Sequence, residues 1–488
     1  MNTFLNGLEN ADNFTLTENG GLAHKTTMNK VYDMFAVGAS YRSRSEEDCI
    51  LLFKNAFEEN AELALKCLFW IRDCRSGAGE RRYFRVVINW LAKQYPGVVE
   101  KNIDNIAKYG RWDDLFVLFD TPVEDRMIEL IKDQLVLDMK CQTPSLLGKW
   151  CPSINTSSKK TRELAHKLVN KLGLTERTYR KSLSSLRKKI NIVETLMSQN
   201  RWEEIVFDKL PSKAGLKYRN AFARRDIIAE RYKAFIESKN TKVNSNTLFP
   251  YEIVNKARVC REKLESETLE KYWDNLPDYC ENNSDKMICV IDTSGSMTWA
   301  NPGQTQPMDI AISLGMYCAE RLSGPFKNHF ITFSRNPHLI DINGIDFVDK
   351  VKRIYKRNEC SNTDLEKTFN LLYKIACDKN IDKNDIPSTV IVISDMEIDM
   401  GSETDANETI TMMEMQRKKW EAIGLKMPRL IYWNANSRGS NKFLDNGPNV
   451  SYVSGASPSL FTAILSGKNG IDMMLSVLES DRYSTVTI

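Results

Sequence analysis

Apolar residues in the first 280 positions recur at the spacing of amphipathic helices, and few segments alternate as strands do. In CILLFKNAFEENAELALKCLFWIRD, apolar residues three and four positions apart form the stripes that two buried helices need. Helix boundaries recur too: Pro96 ends one pattern, Gly173 ends another, and Thr175 is placed to cap the next helix. Helix pairs of about 30–45 residues joined by short turns predict a solenoid of helical hairpins, although no strict repeat is present.

The pattern changes near Lys286, where short β-branched runs begin to alternate with helical segments. Strands are predicted at KMICVID, KNHFITFS, PSTVIVISD, PRLIYWNAN and NVSYVSG, with helices between them and a last helix after them. This order predicts a doubly wound, mostly parallel sheet that binds ligands beyond the carboxyl ends of its strands. The predicted fold class is therefore α followed by α/β, with a flexible N-terminus (1–20), a helical domain (21–280) and an α/β domain (281–488).

The composition is that of a globular protein, with 42% hydrophobic and 27% charged residues among 488. No apolar run approaches the roughly 18 residues of a membrane span, and the polar start MNTFLNGLENADNF does not resemble a secretory signal. The 11 cysteines are scattered and form no CxxC, which indicates reduced thiols. We therefore expect a cytoplasmic protein without a membrane partner.

Charge is distributed unevenly along the chain. Residues 1–280 carry 46 basic and 38 acidic side chains, whereas residues 281–488 carry 22 basic and 26 acidic ones. The segment 159–233 alone has 20 basic against 8 acidic residues, a net charge of +12. A basic stretch on helices is the electrostatic footprint expected of a phosphate-binding surface.

The basic segment predicts candidate RNA-binding residues, with aromatic side chains between them that could stack on bases. The aromatic residues are Tyr218, Phe222 and Tyr232. A solvated helix face without a ligand is the alternative. The candidate RNA-binding residues are Arg180, Lys181, Arg187, Lys188, Lys189, Arg219, Arg224 and Arg225.

The arginine-rich stretch RDCRSGAGERR at residues 72–82 has two interpretations. It is either an arginine cluster for a ligand or a tight glycine-rich turn whose arginines pair locally with Asp73 and Glu80. We favour the second interpretation. The nearby GRWDDL is expected to cap and pack a helical repeat, with Trp112 in the core.

Candidate chemistry is concentrated at VIDTSGSM, directly after the first predicted strand of the α/β domain. Asp292, Ser294 and Ser296 alternate in a tight loop, Thr363 opens a later helix, and Asp395 ends the strand VISD. The carboxyl ends of parallel strands share one edge of a sheet, so two carboxylates and three hydroxyls are predicted to converge there. Hard cations take such oxygen ligands, and we expect Mg²⁺, with Mn²⁺ or Ca²⁺ as alternatives. A capped loop without metal is the other interpretation.

Catalysis is not expected at this site. No general base is predicted beside the metal, and the motif lacks the second carboxylate of DxDx[TV], which argues against an aspartyl-phosphate phosphatase. The stretch 75–79 is not followed by GK[ST] and is no phosphate-binding loop. We therefore expect the protein not to be an enzyme.

The arrangement DxSxS, then Thr, then Asp resembles the metal-ion-dependent adhesion site (MIDAS) of von Willebrand factor A domains, over roughly residues 284–480. This resemblance implies that Asp292, Ser294, Ser296, Thr363 and Asp395 hold a divalent cation with one position open to an acidic protein partner.

Nearly the whole chain resembles the domain-of-unknown-function family DUF2828. The strings that carry the resemblance are RDCRSGAGERRYFR, YGRWDDL, LLGKWCPS, YRKSLSSLRKKINIVETLMSQNRWEEI, KLPSKA and LFPYEIV. In layout the chain is similar to the Ro autoantigen family, whose TROVE module is a ring of HEAT-like helical repeats before a von Willebrand A domain. That similarity implies a ribonucleoprotein scaffold that contacts small noncoding or single-stranded RNA.

Two functions therefore stand as hypotheses. The first is an RNA-binding scaffold of Ro-like type with a divalent-metal adhesion site. The alternative is a metal-dependent protein–protein interaction module without RNA binding, in which the basic helices serve packing alone.

Overall fold

The computed structural model describes residues 8, 11–281, 285–300, 304–333, 335–356, 362–399 and 410–488. Two architectures follow one another along the chain. A helical region extends to about residue 274, and a region built on one parallel-rich sheet follows it.

Helices account for most of the ordered backbone before residue 280. Two short strands, β1 (Phe14–Leu16) and β2 (Leu22–His24), precede them as an antiparallel hairpin. The described α-helices here are α1 (Lys30–Val37), α2 (Glu46–Glu59), α3 (Ala61–Arg72), α4 (Arg82–Gln94), α5 (Pro96–Lys101), α6 (Ile103–Tyr109), α7 (Glu124–Lys140), α8 (Leu147–Trp150), α9 (Lys159–Lys171), α10 (Glu176–Lys189), α11 (Val193–Ser198), α12 (Ser212–Arg224), α13 (Asp226–Glu237), α14 (Pro250–Ala257) and α15 (Lys263–Asp274).

Helix boundaries follow the local chemistry of the sequence. Thr175 caps α10 as predicted, because its side chain accepts a hydrogen bond from the Thr178 N–H. Asn60 caps α3 in the same way by accepting from the Leu63 N–H. The hairpin β1–β2 lies partly within the segment that the sequence predicts to be flexible, and contacts to distant residues, described below, order it there.

The second region is a six-stranded sheet with the strand order β5–β4–β3–β6–β7–β8. All its neighbouring strands are parallel except β5, which runs antiparallel to β4 at one edge. The strands are β3 (Met287–Asp292), β4 (His329–Phe333), β5 (His338–Asp341), β6 (Thr389–Ser394), β7 (Arg429–Asn434) and β8 (Val450–Ser454). The described helices are α16 (Pro307–Arg321), α17 (Phe347–Lys356), α18 (Leu365–Ala376), α19 (Met412–Ala422), α20 (Leu460–Ile464) and α21 (Gly470–Leu478).

The central strands β3 and β6 are buried along their whole length, as strands covered on both faces must be. Helix α16 lies so close to β3 that a Cβ on Gly315 would meet the Ile291 side chain at 1.9 Å. Only glycine allows that approach. Strand β5 escaped sequence prediction because Ile340 is its one buried residue, which leaves no apolar pattern to detect.

The helical region and the sheet region share an interface. Helix α1 covers the edge strand β8, where the Tyr452 N–H donates to the Tyr32 hydroxyl at 2.8 Å. After α1, the Ala39 N–H donates to Ser454 Oγ at 3.2 Å. Covering an edge strand with a helix removes the unpaired backbone groups that invite aggregation. Apolar side chains of both regions belong to one continuous core.

The C-terminal tail also binds the helical region and so stabilises its interface with the sheet region. Asp73 is fully buried at the end of α3 and accepts hydrogen bonds from the Arg482 guanidinium and from the Tyr483 hydroxyl, the latter at 3.0 Å. Further along, Asn105 Nδ2 donates to the Thr485 carbonyl at 2.9 Å, and Asn102 Nδ2 donates to that of Thr487.

The local pairing predicted for the arginine-rich turn is wrong. Asp73 pairs with Arg482 from the far end of the chain, and Glu80 pairs with Arg42 at 3.6 Å. Arg72 reaches Asp114 of the GRWDDL stretch at 2.7 Å, so Asp114 is a buried ion-pair partner. The arginines that are neighbours in sequence bind elsewhere, since Arg75 Nη1 donates to the Lys108 carbonyl and Arg82 Nη1 donates to that of Tyr41. Trp112, which the sequence predicts to lie in the core, is only partly buried and packs against the core.

Ten described cysteines are free thiols. Within the described ranges, no helix is both long and apolar enough to cross a membrane.

Replacing Arg482 by alanine is expected to destabilise the protein, because Asp73 keeps its burial and loses its cation. The Arg482 side chain is 36% exposed, so we expect a loss of about 2 kcal/mol in the free energy of unfolding, below the cost of a fully buried pair. Urea unfolding followed by tryptophan fluorescence measures it. Asp481→Ala, next to it on the exposed surface, is the matched control; equal midpoints for the two variants would contradict the prediction.

Candidate metal centre

Four of the five predicted oxygen donors, Asp292, Ser294, Ser296 and Asp395, lie together at the carboxyl edge of the sheet. Strand β3 ends at Asp292, and Asp395 directly follows β6, which pairs with β3 in parallel. Ser294 and Ser296 lie in the turn after β3, and Thr363 lies just before α18. Helix α18 is capped by Asp364, whose side chain accepts from the Lys367 N–H, so Thr363 stays available for other contacts.

The serine hydroxyls of this turn stand at a spacing that suits a shared cation. Ser294 Oγ and Ser296 Oγ are 3.0 Å apart. Two neighbouring ligands of an octahedral Mg²⁺, each about 2.1 Å from the ion, are separated by about 3 Å. The turn is fixed from within, because the Ser294 N–H donates to Asp292 Oδ1 at 2.9 Å. The separation of these two hydroxyls therefore fits neighbouring positions on a hard divalent cation.

The two carboxylates are buried deeply. Asp292 is 0% exposed and Asp395 is 2% exposed. Burial, and then the nearby charge of Asp395, raises the pKa of Asp292 to about 7. Burial also raises the pKa of Asp395, while the charge of Arg438 opposes that rise. A buried pair of carboxylates faces a shortage of positive charge, which a cation would supply.

Neighbouring side chains hold the two carboxylates in place. Ser394 Oγ donates to Asp292 Oδ2 at 2.6 Å, and Arg438 Nη2 lies 2.9 Å from Asp395 Oδ2. The Glu397 N–H donates to Asp395 Oδ1 at 3.2 Å. Partners of this kind orient metal ligands in proteins. Among the described residues no group of three or more His, Cys, Asp or Glu is arranged to bind a metal, so the donor set depends on hydroxyls.

The N-terminal hairpin reaches this edge of the sheet. Asn19 Nδ2 donates to Thr363 Oγ1 at 3.2 Å and to the Glu397 carbonyl at 2.7 Å. The Glu18 carboxylate lies 3.1 Å from Arg438 Nη2. Sequence reasoning missed these groups. Arg438 could have been predicted from the sequence, since it follows β7 at the same edge of the sheet. Nothing in the local sequence spacing links residues 18 and 19 to Asp395.

The predicted RNA-binding residues fall into two groups. Arg187, Lys189 and Arg219 bind oxygen atoms of neighbouring helices and loops, and of these three only Lys189 is exposed. Arg187 donates to the carbonyls of Gly148 and Cys151 and to Ser153 Oγ. Lys189 donates to carbonyls at the C-terminal end of α7, and Arg219 pairs with Glu265.

The other predicted basic residues lie at the surface. Arg224 pairs with Glu262 at 3.2 Å, and Arg225 donates to Asn200 Oδ1 at 2.8 Å. Arg180, Lys181 and Lys188 are exposed on α10. RNA binding by these eight residues stays a prediction.

The prediction that the interleaved aromatic side chains stack on bases is wrong for two of them. Phe222 is 0% exposed and Tyr232 is 3% exposed, and both rings pack against Phe207. Tyr218 is partly buried and donates its hydroxyl to Glu194. Their helical spacing places these rings on the core side of α12 and α13. The charged residues between them made this apolar face hard to recognise in the sequence.

Comparison with known proteins adds three findings. The profile of a family described as domain of unknown function (DUF2828) matches residues 17–144 and 128–297, and that of DUF7788, also of unknown function, matches residues 286–483. An uncharacterized protein of Acanthamoeba polyphaga mimivirus is 27% identical over 513 residues, covering 96% of this chain and 87% of that protein. The crystal structure of the Ro protein of Deinococcus radiodurans aligns at 10% identity with a TM-score of 0.38, covering 91% of this chain and 100% of that one.

Asp292→Asn is expected to stabilise the cation-free protein at pH 8. Because burial raises the pKa of Asp292 from 3.8 to about 7, the free energy of unfolding falls as pH rises through that interval. The neutral amide removes this loss, and we expect a gain of about 1–3 kcal/mol at pH 8. Urea unfolding in a chelator measures it.

Measurements at pH 5 provide the internal control, because only the part of the loss that accumulates above the ordinary pKa of 3.8 and below pH 5 then acts. The difference in the free energy of unfolding between the two proteins should therefore be clearly smaller than at pH 8. Added Mg²⁺ at pH 8 should stabilise the wild type and leave the variant unchanged. Equal stability of the two proteins in chelator at pH 8 would contradict this account of the site.

Proposed function

The chain belongs to the family described as domain of unknown function DUF2828, and we propose that it acts as an RNA-binding scaffold with a divalent-cation site in its C-terminal region. In this proposal the helices before residue 280 form a HEAT-like arc or ring that contacts small or single-stranded RNA. The sheet region is a von Willebrand A-type domain whose cation binds an acidic group. The role is non-enzymatic, because the cation holds a ligand and drives no reaction.

The observation that carries the RNA proposal is the exposed cationic face of α10. Arg177, Arg180 and Lys181 all point to solvent, and no hydrogen bond or ion pair to any described residue occupies them. Arg224, by contrast, has a carboxylate partner at the surface. A helix that carries several unneutralised cations attracts phosphates and releases their counterions on binding. The surrounding segment 159–233 adds a net charge of +12.

A cleft beside this face supports single-stranded RNA over a duplex. Its volume is about 270 Å³, and its lining includes Arg180 and Leu183 of α10 together with Ile154 and Asn155. An apolar wall, an amide and a guanidinium in one cleft suit an unstacked nucleotide, whose base and phosphate need different surroundings. Arg187 of α10 donates three hydrogen bonds to the LLGKWCPS segment, and these bonds hold that segment against α10 beside the cleft.

A metal-dependent protein-interaction module without RNA binding is the second candidate. The contact between Glu18 and Arg438 favours it, because a carboxylate from a distant segment lies near the proposed cation site. We call this part of the sheet, the carboxyl edge at Asp292 and Asp395, the metal edge. The cation in that case bridges to an acidic residue of a protein partner, and the basic helices serve packing.

Charge reversal of Arg180 and Lys181 together is expected to weaken binding of single-stranded RNA by tenfold or more at physiological salt. The slope of log affinity against log salt should fall by roughly one to two, at about 0.7 for each phosphate that the protein no longer neutralises. Fluorescence anisotropy with a labelled oligonucleotide across a salt series measures both. Arg187 is avoided, because its replacement would disturb folding.

The control for this experiment is the double charge reversal of Lys93 and Lys132, which are exposed on α4 and α7 and change the net charge equally. A loss of RNA affinity of the same size in the control would show that net charge, and not the exposed face of α10, explains the effect. No binding by the wild type at low salt would remove the RNA proposal and leave the protein-interaction candidate.

Ser296→Ala is expected to lower Mg²⁺ affinity by about tenfold or more, because one of the two paired hydroxyls is removed. Isothermal titration at pH 8, where Asp292 is ionised, measures it. Thr298→Ala in the same turn is the matched control, since its hydroxyl donates to the Gly295 carbonyl. Unchanged affinity in Ser296→Ala would place the cation elsewhere.

A further inference from the structure

Building on the proposed cation site, we propose that its acidic partner is the chain's own N-terminal hairpin, with Glu18 as the carboxylate. The cation then couples residues 14–24 to the sheet region, and an external acidic segment gains access only by displacing the hairpin. The proposal rests on how the hairpin turn is held across the site.

The turn between β1 and β2 is bound to the loop that follows Asp395. Thr17 Oγ1 donates to the Ile398 carbonyl at 2.5 Å, and the Glu18 N–H donates to Glu397 Oε2 at 2.7 Å. Gly20 forms an isolated bridge with Asp399. The fit is close, since a Cβ on Gly21 would meet the Ile398 carbonyl oxygen at 2.7 Å.

The other side of the hairpin is held by the segment after β7. His24 exchanges two backbone hydrogen bonds with Phe443, at 2.8 and 3.0 Å, and Lys442 Nζ donates to the Leu16 carbonyl. The hairpin is therefore anchored on both flanks, and its turn is aimed at the metal edge. Such a segment loses little further conformational entropy when its tip binds.

The tip of the turn carries the groups that a metal edge recognises. Asn19 already touches the predicted ligand Thr363 through a hydrogen bond of 3.2 Å. Arg438 Nη2 lies 3.1 Å from the Glu18 carboxylate and 2.9 Å from that of Asp395. One guanidinium thus stands between the candidate ligand and the hairpin carboxylate.

Cation binding and hairpin docking should therefore strengthen each other. A divalent charge held by Asp395 and the hydroxyls adds to the positive potential that Arg438 already presents to Glu18. The Glu18 side chain is 51% exposed, so packing does not prevent it from turning from Arg438 toward that charge. By linkage, whatever the cation gains from Glu18, the hairpin gains from the cation.

Hydrogen exchange of the full chain tests this coupling. With added Mg²⁺, amides of residues 14–24 should exchange about tenfold more slowly, and Glu18→Gln should lose that protection and bind Mg²⁺ several-fold more weakly. Asp12→Asn is the matched control, since Asp12 lies two residues before the hairpin with a side chain that is 96% exposed. It should behave as the wild type does.

Isothermal titration with Mg²⁺ separates the possible outcomes. If the wild type binds no Mg²⁺, the proposed cation site itself is wrong. If wild type and Glu18→Gln bind Mg²⁺ equally and exchange of the hairpin ignores the ion, the site stands and the hairpin is not its partner. Protection that depends on both the ion and Glu18, and survives in Asp12→Asn, supports the proposal.

Discussion

The burial of two nearby carboxylates, Asp292 and Asp395, is the main electrostatic constraint on the sheet region. Parallel pairing of β3 with β6 forces them to the same edge, and burial raises the pKa of both. The surrounding contacts compensate for this charge: Ser394 donates to one carboxylate and Arg438 faces the other. A hard cation held by the paired serine hydroxyls would complete that compensation, which is why the proposed function begins at this edge.

The two regions are joined by the ends of the chain. The N-terminal hairpin lies against the sheet region, and the C-terminal tail returns to the helical region at Asp73. Each connection satisfies a buried carboxylate or backbone group that its own neighbourhood leaves unpaired. The hairpin thus connects the carboxyl edge of the sheet, through Asn19 and Glu18, to the segment that precedes α1.

The basic residues of the helical region fall into two sets that composition cannot separate. Arg187, Lys189 and Arg219 bind carbonyls or a carboxylate and support the packing of neighbouring helices. Arg177, Arg180 and Lys181 stay exposed beside a cleft. The proposed RNA surface is therefore narrower than the basic segment, and it follows one helix.

The sequence by itself determined the change from helices to a parallel-rich sheet near Lys286, the cap at Thr175, and the positions of Asp292 and Asp395 at strand ends. These features depend on local periodicity and on the rule that parallel strands share a carboxyl edge. Only the tertiary structure decided which cations meet which carboxylates, that β5 joins the sheet, and that Glu18 and Asn19 reach the metal edge. The pairs of Asp73 with Arg482 and of Glu18 with Arg438 join residues hundreds of positions apart, and the others depend on side-chain geometry, so no local pattern records them.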